Sequence, residues 1–290
     1  MKVSGFTFIR NAIKYDYPIV EAILSILPLC DEFIVVVGNS DDDTLNLIQS
    51  IDPKITIIES IWDDSLREGG RVLALETDKA FAAISKDSDW AFYIQGDEVI
   101  HEKYHDEIRL AMQKNLHRTE VDGLLFDYQH FYGSYDFIGS SLSWYLDEIR
   151  IIKNNSNFFS YRDAQGFRKL PNEKLNVVKI NASVYHYGWV KPPKTMQSKQ
   201  ETFHKLWHDD NWVDENVKKV ESFDYQSNIS ELVLFKGTHP QIMQKRIKEK
   251  NWEFEYDISF NNSKLKDKLK RILRKYFNID IRYKNYNKIK

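Results

Sequence analysis

The sequence predicts an α/β fold in which a mostly parallel sheet is covered on both faces by helices. Three observations predict it. Short β-rich apolar runs alternate with helix-length segments through the first hundred residues. One run, Glu32 to Val37 (EFIVVV), is apolar at every position after its first, as a strand buried on both faces requires. The 290 residues are 42% hydrophobic and 29% charged, with only 11 Gly and 7 Pro, which fits one large globular domain or a domain with an appendage and excludes a disordered or fibrous chain.

Taken in order, Val3 to Ile9 reads as the first strand, and Pro18 to Leu29 as a helix with Ile19, Ile23, Ile26 and Leu27 on one face. Glu32 to Val37 is the second strand, broken by Gly38-Asn39-Ser40 and followed by a helix over Thr44 to Ile51. Lys54 to Glu59 (KITIIE) makes a third strand. After a loop from Trp62 to Gly70, Arg71 to Ile84 is helical and Trp90 to Ile94 (WAFYI) is a fourth strand. Past Gly123 the rhythm changes. GLLFDYQHFYG, EIRIIKN and KINASVYHYGWV predict strands of a mixed sheet with aromatic-rich connections, while Gln197 to Trp207 and Pro240 to Asn251 predict helices. The division expected is a domain over 1–225, with halves at about 1–100 and 101–225, and a helical, basic extension over 226–290.

Cys30 is the single cysteine, so an internal disulfide and a cysteine metal site are excluded and a reducing, cytoplasmic setting is expected. The start MKVSGFTFIRN is too short an apolar run for a signal peptide, and no stretch approaches the ~20 apolar residues of a membrane span. Charge is uneven. Lys264 to Lys290 holds eleven Lys/Arg against two Asp, a net of +9, so the preceding body carries −11 of the formal −2 total. An acidic body argues against nucleic acid as a partner of the main domain. In the tail, Leu265, Leu269, Ile272, Leu273 and Tyr276 form one helical stripe flanked by Lys and Arg. Such a helix either packs on the acidic body or makes a peripheral contact with an anionic membrane, which would place the protein at its inner face.

A parallel sheet holds its ligand at the carboxyl ends of its strands, so the loops there carry the candidates. Phe8, Arg10 and Asn11 close the first strand without the G-x-G-x-x-G turn of a dinucleotide site, and Gly69-Gly70 lacks the G-K-[ST] of a P-loop. After the fourth strand, Gln95-Gly96-Asp97-Glu98 presents carboxylates suited to a hard divalent cation and diphosphate oxygens, or else an acidic turn before a helix.

The order VSGFTFIRN, EFIVVVGNSDDDT, KITIIE, DWAFYIQGDE resembles the nucleotide-sugar half of the family 2 glycosyltransferases of the GT-A fold, over roughly residues 1 to 190. DEIRIIKN and HYGWVKPP are similar to a bacterial branch that builds surface polysaccharides. The resemblance implies a GT-A-like α/β domain and a metal-dependent, inverting transfer of a sugar from a nucleotide-diphosphate-sugar to a glycan or glycolipid acceptor. It implies Mn²⁺ or Mg²⁺ as cofactor, with Asp97 and the late histidine His186 as metal ligands; apart from the resemblance, His186 reads equally as a hydrogen-bonded histidine in an aromatic strand. The sequence departs from the family pattern at two places. The two Asp of the usual second-strand motif fall on Val37 and Gly38, leaving Asn39 or Asp41 to read the base. The first Asp of Asp-x-Asp is Gln95.

Arg71, at a helix start after Gly69-Gly70, is a diphosphate contact or a solvated first-turn residue. An inverting transfer needs a base on the acceptor side, and Asp163 in the loop after EIRIIKN is preferred over Glu148 at the start of that strand. The 14% aromatic content, with Trp144, Tyr145, Trp189, Trp207 and Trp212 in the second half, suits sugar stacking. Two rivals remain open: a non-catalytic carbohydrate-binding protein on a transferase-like scaffold, and a sugar nucleotidyltransferase. The second would want a Gly-rich basic loop where Phe8-Ile9-Arg10-Asn11 stands.

Overall fold

A computed structural model describes residues 1–66, 68–141, 143–217, 219–229, 231–259 and 283–290. The chain begins with β1 (Val3–Ile9), α1 (Ile19–Ile26), β2 (Glu32–Gly38), α2 (Thr44–Gln49), β3 (Ile55–Ser60), α3 (Arg71–Ala82), β4 (Trp90–Tyr93), β5 (Glu98–Ile100) and α4 (His105–Lys114). Strands dominate next, with β6 (Gly123–Tyr132), β7 (Phe137–Gly139), β8 (Asp147–Lys153), β9 (Phe158–Tyr161), β10 (Gly166–Lys169) and the long β11 (Glu173–Trp189). Then come α5 (Pro193–Phe203), α6 (Asp210–Asn216), β12 (Leu232–Leu234), α7 (Gln244–Lys248) and β13 (Tyr286–Ile289).

The fold is α/β, a curled central sheet flanked by helices. Its strand order is β3-β2-β1-β4-β8-β6-β11-β10-β9. The first four of these run parallel, and the sheet becomes mixed from β8 onward, where β4 and β6 both pair antiparallel with it. Period-two alternation splits β2 between two cores. Phe33, Val35 and Val37 face the layer of Ile19, Ile23 and Ile26 from α1, while Ile34 and Val36 face Val72, Leu73 and Phe81 from α3. That is why EFIVVV is apolar without alternation: both of its faces are covered.

Several features fall outside the expected pattern, among them the short strands β5, β7 and β12, the last of which, inside the expected helical extension, pairs with β7. The hairpin of β9 and β10 extends the sheet beyond β11. Within the expected helical extension, β13 adds to β11 in parallel, pairing Leu175 with Tyr286 through Val178 with Ile289, so the last described residues are a strand. The amphipathic basic stripe from Leu265 to Tyr276 lies outside the described residues. Among the described residues, no helix is long and apolar enough to cross a membrane.

Candidate functional site

The neighbours of β1 are β2 on one side and β4 on the other, so the chain's winding reverses there and leaves a crevice at the carboxyl ends of β1 and β4. A cleft of about 1100 Å³ opens at that point. Phe8, Arg10 and Asn11 from the end of β1 line it, together with Asp41 after β2 and Gln95 and Asp97 after β4. His186 on β11 and Asp163 between β9 and β10 complete the set of expected residues that the fold brings to one cavity.

Strand register explains how Asp97 and His186 meet. β5 pairs antiparallel with β11 so that Glu98 lies across from His186, and the Tyr187 N–H donates to the Asp97 carbonyl at 2.7 Å. His186 Nε2 then lies 3.6 Å from Asp97 Oδ2. A Cβ at Gly188 would stand 2.5 Å from that same oxygen and 2.6 Å from the imidazole, so any larger residue there would have to displace Asp97 or His186. Successive residues of a strand point to opposite sides, and Glu98 accordingly turns into the core. There Arg150 Nε donates to it at 2.7 Å, its other nitrogen pairs with the second oxygen, and the Tyr128 hydroxyl donates too. Glu98 and Arg150 are both 0% exposed.

The partner that sequence reasoning missed is Lys199. It reaches from α5 to donate at 3.1 Å to the Gly188 carbonyl and at 3.3 Å to Asp97 Oδ2, and it lines the cleft while remaining 9% exposed. Burial works against charge on Asp97, but the His186 ring and the Lys199 ammonium outweigh it and hold the carboxyl well below the carboxylate range. Burial likewise opposes charge on Lys199, and Tyr17 and Asp97 more than offset it, so its pKa is raised. The signal was present in the sequence. Lys199 falls on the face of α5 shared by Met196 and Phe203, the spacing at which a core helix shows an apolar residue.

These residues do not make a metal cage. Among the described residues no group of three His, Cys, Asp or Glu converges. Asp97 and His186 are two donors, which would hold a cation only with substrate phosphate oxygens completing its shell, and the Lys199 ammonium, which repels a cation and offers it no lone pair, is paired with the same Asp97 oxygen.

On the β1–β2 side, Asn11 and Asp41 fix one another: the Asp41 N–H donates to Asn11 Oδ1 at 2.7 Å, and Lys14 Nζ donates to Asp41 at 3.0 Å. Arg10 donates to the Asn39 carbonyl at 3.0 Å and to Asp64 at 2.8 Å, with its guanidinium 5.4 Å from the centre of the Trp62 ring. Trp62 also packs beside Phe8, at 5.9 Å between rings. Asn39 itself does not line the cleft; its side chain accepts from the Trp62 N–H at 3.2 Å. Arg71 is exposed at the start of α3 and also lies outside the lining.

Asp163 sits on a loop with two non-glycine residues in the left-handed region, Arg162 at φ 57° and Ala164 at φ 65°. Such backbone costs about 1–3 kcal/mol per residue and is held where surroundings impose it. Here Arg150 and Gln95 donate to the carbonyls of Gln165 and Ala164 at 3.1 and 3.0 Å. Gly70 gives room from the other side: it has φ 69°, and a Cβ there would meet Asp163 Cβ at 2.8 Å. The Gly69-Gly70 turn thus serves the Asp163 loop. Burial raises the Asp163 pKa. Glu148 does not line the cleft. It is 2% exposed, and burial pushes it to about 8 although Arg150 and Gln165 pull the other way.

The aromatic wall is formed by His130, Trp144 and Trp189. His130 and Trp144 lie 4.6 Å apart between rings and Trp144 and Trp189 6.1 Å apart. Burial and the neighbouring His186 keep His130 neutral, well below the usual histidine value.

No protein-family model matches the chain, and no curated protein does. It is similar to solved structures. S. aureus TarS matches at 14% identity and a TM-score of 0.40, over 70% of this chain and 39% of that one. TarS 1-349 in complex with UDP-GlcNAc matches at 11% identity and 0.39, over 76% and 68%. Glucosyl-3-phosphoglycerate synthase from Mycobacterium tuberculosis, in complex with Mn²⁺, UDP and phosphoglyceric acid, matches at 22% and 0.29, over 45% and 43%. This chain therefore spans about two fifths of the first of these. Likeness at these scores assigns no residue a role.

Proposed function

We propose that the cleft binds a nucleotide-diphosphate-sugar and transfers its sugar, with inversion, to a hydroxyl of a glycan or glycolipid acceptor, on a GT-A-like domain. The observation that carries the reading is one cavity at the switch point of the sheet, lined by a fixed Asp97–Lys199 pair and by a half-buried carboxylate, Asp163, on a constrained loop.

In this reading Trp62, Phe8, Asn11 and Asp41 receive the nucleoside, the ring faces taking the base and the polar groups its edges. Trp144 and Trp189 receive the sugar face of the acceptor. Asp163 takes the proton of the acceptor hydroxyl as its oxygen forms a bond to the anomeric carbon. The bond from that carbon to the diphosphate breaks with its electron pair, leaving a nucleoside diphosphate. The raised pKa of Asp163 suits a base, because a carboxylate nearer neutrality holds the proton better. No step is routed through a metal, since the Lys199 ammonium already pairs with the Asp97 carboxylate that would hold one. The basic tail remains a candidate for contact with an anionic membrane that carries a lipid-linked acceptor.

A thermal-shift panel of UDP-, GDP-, CDP- and dTDP-sugars tests the reading. One nucleotide class should raise the melting temperature, with about 2.7 kcal/mol of added stability at a hundredfold excess over Kd. A panel that leaves the midpoint unmoved while free oligosaccharides raise it would favour a carbohydrate-binding protein instead.

A further inference from the structure

We infer that the Lys199 ammonium is the cation that holds the donor's diphosphate in this cleft, at the place where a divalent metal would otherwise serve. The inference rests on the nucleotide-sugar reading and deepens it.

Lys199 is fixed from several sides. Its Nζ donates to the Gly188 carbonyl at 3.1 Å and to Asp97 at 3.3 Å, and it stands 4.7 Å from the centre of the Tyr17 ring. A charge held in this way needs no reorganisation when an anion arrives. The surroundings favour an anion over a second cation. Among the described residues, Asp97 is the carboxylate paired with Lys199, and it also faces His186. Behind it, the buried Lys191 donates at 2.7 Å to the Tyr15 carbonyl and at 3.2 Å to that of Asp16. A divalent ion at Asp97 would meet an ammonium, whereas a diphosphate would find a compact point charge of the kind lysine supplies to phosphates. Asp97 is then the residue that aims Lys199. As the sugar leaves, the electron pair of the broken carbon–oxygen bond stays on the diphosphate, where Lys199 offsets the added negative charge, while the acceptor's proton passes to Asp163.

The full chain is titrated calorimetrically with UDP, GDP, CDP and dTDP, each in EDTA and again in Mn²⁺, for wild type, Lys199→Gln and Lys199→Arg. The nucleotide that binds should do so with a Kd that changes less than about threefold between the two media. Lys199→Gln should weaken it by about tenfold or more in EDTA, while Lys199→Arg stays within about threefold of wild type, as a retained charge requires. Wild-type binding that appears only with Mn²⁺ would overturn the inference and leave the nucleotide-sugar reading standing. So would Lys199→Gln binding as tightly as wild type in EDTA. Binding of no nucleotide in either medium would overturn that reading itself, and the inference with it. If circular dichroism finds Lys199→Gln unfolded, the wild-type comparison of media and the arginine variant decide.

Discussion

Asp163 and Glu148 are carboxylates that lie close enough to influence each other, yet burial treats them differently. Glu148, pushed to about 8 from an ordinary 4.5, is neutral at pH 7 in the folded chain and ionised in the unfolded one. The folded chain therefore binds more protons between those values, so this group's contribution to stability is full below about pH 4.5 and is lost as pH rises toward 8. Glu148→Gln, isosteric with the neutral acid, should remove that loss: its melting temperature should gain on wild type steadily from pH 5 to pH 8. Parallel profiles for the two proteins would show that Glu148 ionises freely. A group neutral at pH 7 is a poor base, which favours Asp163, the acid that lines the cleft. The sequence preferred Asp163 for its place in a loop after the strand, but the burial that sets Glu148 apart was not legible there, because it depends on which side of the sheet is covered.

At the scale of elements, adjacency in sequence misled where strand geometry decided. Asp97 and Glu98 read as a pair of acids, but the pleat sends one to the cleft and the other to a buried site with Arg150 and Tyr128. Removing one partner of such a pair leaves the other charge buried, at a cost of about 3–5 kcal/mol. Glu98→Gln should lower stability to urea by that amount, and an unchanged unfolding midpoint would mean that Arg150 finds another partner or water. The strands of the first half were legible because β2 and β4 are covered on both faces and announce themselves as continuous apolar runs. The hairpin of β9 and β10 was not, since FFSY and GFRK are four-residue strands without sustained alternation. Lys199 was legible in principle, as a charge on the apolar face of a helix, and was passed over because lysines on helices are common.

For the whole molecule, the order β3-β2-β1-β4 places the switch point before any side chain is considered, and residues at the ends of β1, β2 and β4 line the cleft there. Further lining comes from far along the chain. α5 and β11 bring Lys199, His186 and Trp189 to the same cleft, contacts made by register and packing that no local pattern encodes. The C-terminal end is likewise tied in by β13, whose Tyr286 hydroxyl donates to Asp147 at 3.2 Å. A test of the basic tail on vesicles should therefore replace Lys264, Lys266, Lys268 and Lys270 by Gln and keep residues 284–290. Sugar transfer with Asp163 as base is read out by the release of nucleoside diphosphate from the bound nucleotide sugar, with a panel of simple glycosides as acceptors, for wild type and Asp163→Asn. With Asp163 as base, wild type turns over and the kcat of the variant falls by about 100-fold or more, with donor affinity retained. Turnover in Asp163→Asn equal to wild type would contradict that role.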